Sequence, residues 1–228
     1  MAEDQPRSAA APYQALCGVI VPIVTVVGVV VGGWLWEDYS DQTQVISDLG
    51  GAEAPYPLIQ HSSFLVGGVL IVVFGVGLRR GLDQGRGARL GPALVGAFGL
   101  AWASMAALPC TAIMCDGEAA VDRLHLLIVN LGLLAFALAT LLIWRGLRRR
   151  PDWHGLSGYT ALTGIVTLVL MVATFLAAAV DPEALYIGVV QRAKVVVVFG
   201  WIGVIGLQLL RGSRTSTQSP QPSAPTEQ

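Results

Sequence analysis

The stretch Leu124–Trp144, LHLLIVNLGLLAFALATLLIW, decides the fold. It runs for 21 residues with one titratable side chain, His125, and one amide, Asn130. A hydrocarbon core about 30 Å thick needs roughly 20 apolar residues per helical crossing. The stretch therefore reads as a transmembrane helix. Asp122 and Arg123 precede it, whereas Arg145, Arg148, Arg149 and Arg150 follow it. Five further runs have the same character: Leu16–Trp36, Pro57–Leu78, Leu90–Cys110, Ser157–Val180 and Leu185–Leu210. None alternates with the period of two that a membrane strand requires. The fold class is thus all-α, a polytopic bundle of six transmembrane helices.

Composition agrees. The 228 residues are 54% hydrophobic and 13% charged, with a mean hydropathy of +0.64. A soluble domain carries about a quarter charged residues. The charges also segregate. Eleven of the fourteen basic residues fall in the two tails and in the loops after the second and fourth runs. The other side keeps only Arg123, Arg192 and Lys194, against ten of the fifteen acids. One side is +6 and the other −7, which together give the formal −1. Basic loops stay cytoplasmic, so both termini are expected inside and the acidic loops outside a cell membrane. Topology explains the arginines. They point to membrane lipids as partners and not to nucleic acid.

The chain divides into a cytoplasmic tail over 1–15, a six-span domain over 16–210 and a disordered cytoplasmic tail over 211–228. The opening Met-Ala-Glu-Asp is acidic and the first run is too long for a signal core, so that run is expected to remain as a span. The final stretch is rich in Ser, Thr, Gln and Pro without apolar periodicity. Of three cysteines, Cys17 lies in the first span. Cys110 and Cys115 flank the second outer loop, either bonded across a turn at Pro109 or free.

Small residues suit close helix contact in lipid. Gly28 and Gly32 form a GxxxG, and Gly200, Gly203 and Gly206 a stripe in the last span. Pro22 can kink the first span. Thr160, Thr163, Thr167 and Thr174 fall at i, i+3, i+7 and i+14, on one helix face. Each hydroxyl either bonds its own helix or lines a polar path, and the first reading is favoured.

The remaining polar residues gather at the outer ends of spans. Asp48 lies in the first outer loop, His61 opens the second span, and Asp122, Arg123 and His125 open the fourth. Gln191, Arg192 and Lys194 open the sixth. Ionisable groups at membrane depth usually face protein or water and need partners. Asp122 and His125 share a helix face and could pair. Asp48 is the expected partner of Arg192. Ser47-Asp48-Leu49-Gly50 reads as a structured turn in which Ser47 or Asp48 caps backbone donors.

Taken in order, Val45-Ile46-Ser47-Asp48-Leu49-Gly50, Pro55, Pro57, Phe64, Gly67-Gly68, His125 and Gln191-Arg192 carry a resemblance. They resemble the bacterial domain-of-unknown-function 998 family of six-span membrane proteins, over Leu16–Leu210. More distantly the chain is similar to Frag/DRAM/Sfk-type membrane proteins, some linked to lipid remodelling and autophagy. The resemblance implies family-type positions at Ser47, Asp48, Gly50, His125, Gln191 and Arg192. His61 lies outside that pattern.

Several functions compete. The leading one is binding of lipid or an anionic head group, with Ser47, Asp48, Gln191, Arg192 and Lys194 as the ligand-binding set. A membrane-embedded hydrolase or transferase acting on lipid would draw catalytic groups from Asp48, Asp122 and His125. Its metal version would use Asp48, His61 and His125, but no HExxH-type signature occurs, so no metal or cofactor is expected. A small-solute transporter would use the Thr face and Gln191, although its midplane would be nearly free of charge. Haem ligation by His61 and His125 is a fourth reading. No P-loop or dinucleotide fingerprint supports nucleotide chemistry. Whether the protein is an enzyme stays open, and no oligomeric state follows.

Overall fold

The computed structural model describes residues 10–82, 86–115, 119–180 and 186–217. Six long helices occur among them: α1 (Pro12–Trp34), α2 (Pro57–Gly81), α3 (Arg86–Ser104), α4 (Ala120–Leu147), α5 (His154–Val180) and α6 (Ile187–Thr217). No strand occurs among the described residues. Each helix contains a segment of mean hydropathy between 1.5 and 2.6, long and apolar enough to cross a membrane. The chain is an all-α, multi-pass membrane protein.

The helices form a closed ring. Each packs on its neighbours in sequence, and α6 returns to α1. Aromatic side chains fill the interior. Phe64, Phe98, Trp102, Phe136, Phe199 and Trp201 meet with ring centroids 4.9–6.1 Å apart, mostly tilted or edge-on. Such pairs add to area burial. The outside is also apolar: Val26, Val30, Leu131, Leu162, Val169, Val172 and Val196 are all more than half exposed. Helices hydrophobic on every face belong in a bilayer.

Glycine sets the tightest crossing. A Cβ on Gly68 of α2 would lie 2.5 Å from the Gly99 carbonyl oxygen and the Ala103 nitrogen of α3. Without side chains there, the two backbones touch. The threonine face of α5 is satisfied within its own helix. Thr160, Thr163, Thr167 and Thr174 each donate to the carbonyl four residues earlier, at 2.8–2.9 Å. Thr160 also accepts the Trp201 indole N–H at 3.0 Å.

Several boundaries differ from the sequence reading: α1, α3 and α5 start three or four residues early, and α3 ends at Ser104 rather than Cys110. α4 starts at Ala120, so Asp122 and Arg123 lie inside the helix. α6 continues past Leu210 to Thr217, into the stretch expected to be disordered from Arg211. Hydropathy marks the edge of the membrane. A helix, once nucleated, propagates beyond that edge until something stops it, and the first proline after this span is Pro220. Residues 218–228 of that expected tail lie outside the described residues.

Candidate functional site

The acidic end of the ring carries the α1–α2 and α3–α4 connections. At its centre is a buried 3-10 turn, Ile46–Gly50, formed by the Ser-Asp-Leu-Gly stretch. Side chains from several elements hold this turn through its backbone. The Ile46 amide donates to Gln191 Oε1 of α6. The Gly50 carbonyl accepts His61 Nε2–H of α2 at 2.7 Å. The Asp48 carboxylate accepts the Val45 amide at 3.0 Å and the Met114 amide at 2.8 Å, joining the two connections.

Asp48 therefore meets amides, not Arg192 as charge alone suggested. Burial pushes its pKa up to about 6, against the pull of the Met114 and Val45 amides. Arg192 bonds the Gln44 and Gly188 carbonyls at 3.0 and 3.1 Å and the Tyr39 hydroxyl at 2.7 Å, and pairs with Asp41. Burial pushes the Tyr39 phenol up to about 12, with the Arg192 charge opposing. Gly188 makes this docking possible. A Cβ there would strike the Asp41, Gln42 and Gln44 carbonyls at 2.5–2.7 Å, and its own amide donates to Gln42 at 2.9 Å. Arg192 thus fastens the first connection to α6, with both terminal nitrogens of its guanidinium spent on protein acceptors.

The second connection folds back on itself. Cys110 and Cys115 form a disulfide, and Met114 and Cys115 adopt left-handed φ values of 65° and 46°. Such values are uncommon for residues with side chains. They aim the Met114 amide at Asp48. Asp122 holds the start of the loop, accepting the Thr111 amide at 2.8 Å and the Thr111 hydroxyl. It does not hydrogen-bond His125.

His125 instead reaches the turn. Its Nδ1 lies 2.6 Å from the Leu108 carbonyl oxygen and its Nε2 lies 3.0 Å from Ser47 Oγ. A carbonyl only accepts, so Nδ1 carries the proton. In the neutral ring Nε2 is then the acceptor of the Ser47 hydroxyl. Asp48, His61 and His125 do not gather as a metal set, because His61 is engaged by Gly50. The single metal-type group among the described residues is Cys110, Cys115 and His125, with ligating atoms within 4.8 Å of one another. Its two sulfurs are bonded to each other.

Beneath the turn lies a cavity of about 500 Å³, lined by α2–α6 and both connections. Its walls are apolar and aromatic: Phe64, Phe98, Trp102, Leu133, Val198 and Phe199. The polar groups facing it are Ser47, His125, Asn130, Thr174, Gln191 and Lys194. Leu126 and Phe175, 38% and 59% exposed, form part of its rim on the outside of the bundle. Lys194 is 7% exposed and donates to Thr174 Oγ1 at 2.8 Å. No acid pairs with it among the described residues. A second hollow of about 580 Å³ between α1 and α6 is almost wholly apolar, and its Tyr39, Asp41 and Arg192 are already engaged with one another.

The structure brings Ser47, Asp48, His61, His125 and Gln191 to one turn, but it pairs Asp48 with backbone amides, Arg192 with Asp41 and Asp122 with Thr111, not as the sequence suggested. Sequence reasoning missed the aromatic lining, whose residues read as ordinary core. The Ser47–His125 contact links residues 78 apart with no local signal. No curated protein and no solved structure matches the chain. The family model described as "Protein of unknown function (DUF998)" matches residues 19–208, and the chain belongs to that family.

Proposed function

We propose that the protein binds a membrane lipid with an anionic head group in the cavity under the Ile46–Gly50 turn, from the outer leaflet of the cell membrane. The observation that carries this reading is Lys194. A lysine ammonium has three donors, and Thr174 takes one. The other two have no acceptor among the described residues, no acid stands beside them there, and Lys194 lines a mostly apolar cavity. A buried, uncompensated charge costs several kcal/mol. A phosphate or carboxylate entering the cavity would offset that cost, and aromatic walls suit the acyl chain beside it. Cavities of this volume, mostly apolar with few convergent polar groups, are the usual form of a small-molecule site. Orientation rests on the arginine asymmetry, which puts the acidic end outside.

Lys194→Met keeps the side-chain length and removes the charge. Lipid extracted from the purified wild-type protein should contain an anionic species whose share falls about tenfold or more in the variant, about 1.4 kcal/mol or more of binding. The same lipid complement in both proteins would refute the reading.

A further inference from the structure

Ser47 differs from the rest of its turn. Gln191, Asp48 and His61 already hold the turn through backbone atoms of Val45, Ile46 and Gly50. The Ser47–His125 contact joins two side chains, and both line the cavity. A clasp gains little from one more bond in a turn so well fixed. It has no use for an imidazole whose tautomer is dictated from behind. Here the Leu108 carbonyl, 2.6 Å from Nδ1, leaves the Nε2 lone pair facing the Ser47 hydroxyl at 3.0 Å. Nucleophile, base and orienting group in series is the arrangement that activates a serine. The third member is a carbonyl in place of a carboxylate. Asp122, three residues before His125 and on the same helix face, brings negative charge to that side.

A donor for a developing oxyanion is also at hand. The first bond of the turn runs from the Asp48 amide to the Val45 carbonyl, at 3.1 Å. Two amides precede it without a turn partner, those of Ile46 and Ser47. Gln191 takes the first. The Ser47 amide has no acceptor among the described residues, and it stands beside the hydroxyl that would attack.

We propose that Ser47 is a nucleophile, with His125 as its general base, that hydrolyses a carboxylic ester of the amphiphile seated in the cavity. The proposal rests on the lipid-binding reading and extends it to chemistry. Ser47 Oγ bonds to the ester carbonyl carbon as its proton passes to His125 Nε2, and the carbonyl electrons move onto oxygen beside the Ser47 amide. Collapse breaks the bond to the alcohol oxygen, which takes the proton from Nε2. Water then adds to the acyl-serine and gives its proton to Nε2. The second collapse frees the carboxylic acid and returns the proton to Ser47 Oγ. No redox partner is needed.

The test uses the full chain in lipid nanodiscs and a long-chain alkyl fluorophosphonate. Attack by Ser47 Oγ on phosphorus expels fluoride and leaves a stable adduct. Wild-type protein should carry the adduct on the peptide containing Ser47, and Ser47→Ala should carry none. His125→Gln should label about a hundredfold more slowly. The wild-type labelling rate should depend on pH and that of His125→Gln should not, a split that a merely structural histidine would not produce. Release of nitrophenolate from a long-chain p-nitrophenyl ester should fall about a thousandfold in Ser47→Ala. Wild-type protein that retains its anionic lipid but forms no Ser47 adduct would overturn the nucleophile alone. Adduct formation unaffected by His125→Gln would remove the base. An unchanged lipid complement in Lys194→Met would instead strike the binding reading.

Discussion

Asp48 is buried at 2% exposure, and its hydrogen bonds come from two amides. Folding lifts its pKa from 3.8 to about 6. The folded protein therefore holds that proton more tightly than the unfolded chain does. The resulting stabilisation is full below about pH 4 and is lost as pH rises through about 6. The thermal midpoint in detergent should fall across that window, and Asp48→Asn should flatten the fall. Identical profiles for the two proteins would refute this assignment. The same residue shows why the site was only half legible. Opposite charges are visible as letters, so Asp48 suggested Arg192. Every residue but proline carries an amide N–H, so nothing in the sequence singles out Val45 and Met114 as donors. Arg192 likewise found Asp41 through the docking of carbonyls on Gly188. The Ser-Asp-Leu-Gly turn itself was readable through its cap, because Asp48 accepts an amide only three residues away; its glycines do not take the left-handed conformation that would end such a turn, since Gly51 has φ −77°.

At the scale of elements, α2 and α3 meet backbone to backbone. Gly68→Ala would push a methyl group against the Gly99 carbonyl and the Ala103 amide, neither of which can rotate away. The substitution should cost about 1–3 kcal/mol, seen as a lower unfolding midpoint in detergent. Gly146→Ala is the control, since a Cβ there meets nothing within 4 Å. It should be neutral or slightly stabilising. The helices themselves were legible within a few residues because lipid demands long apolar runs. Their ends were less so. Asp122 and Arg123 halt an apolar run without halting a helix, and Arg211 does the same in α6. The threonine face was open to two readings. Its hydroxyls bond their own helix, which leaves no continuous polar path on α5.

For the whole molecule, the proposed orientation can be tested directly. Glu53, in the connection before α2, and Arg80, in its last turn, are both exposed. With Cys17 replaced by Ser, Glu53→Cys should react with an impermeant maleimide on intact cells. Arg80→Cys should react only after permeabilisation. The reverse pattern would turn the cavity toward the cytoplasm. The ring was not readable from hydropathy, which counts spans but is silent on their order around a centre. The aromatic residues that close the interior and line the cavity are indistinguishable by letter from those that face lipid.

Leu126 and Phe175 rim the cavity on spans whose outer faces meet acyl chains. A guest arriving by that door never has to dissolve in water. Its supply is governed by mole fraction within the leaflet, not by molarity in the surrounding buffer. Diluting a vesicle suspension then leaves occupancy untouched, while a change in the recipe of the bilayer resets it.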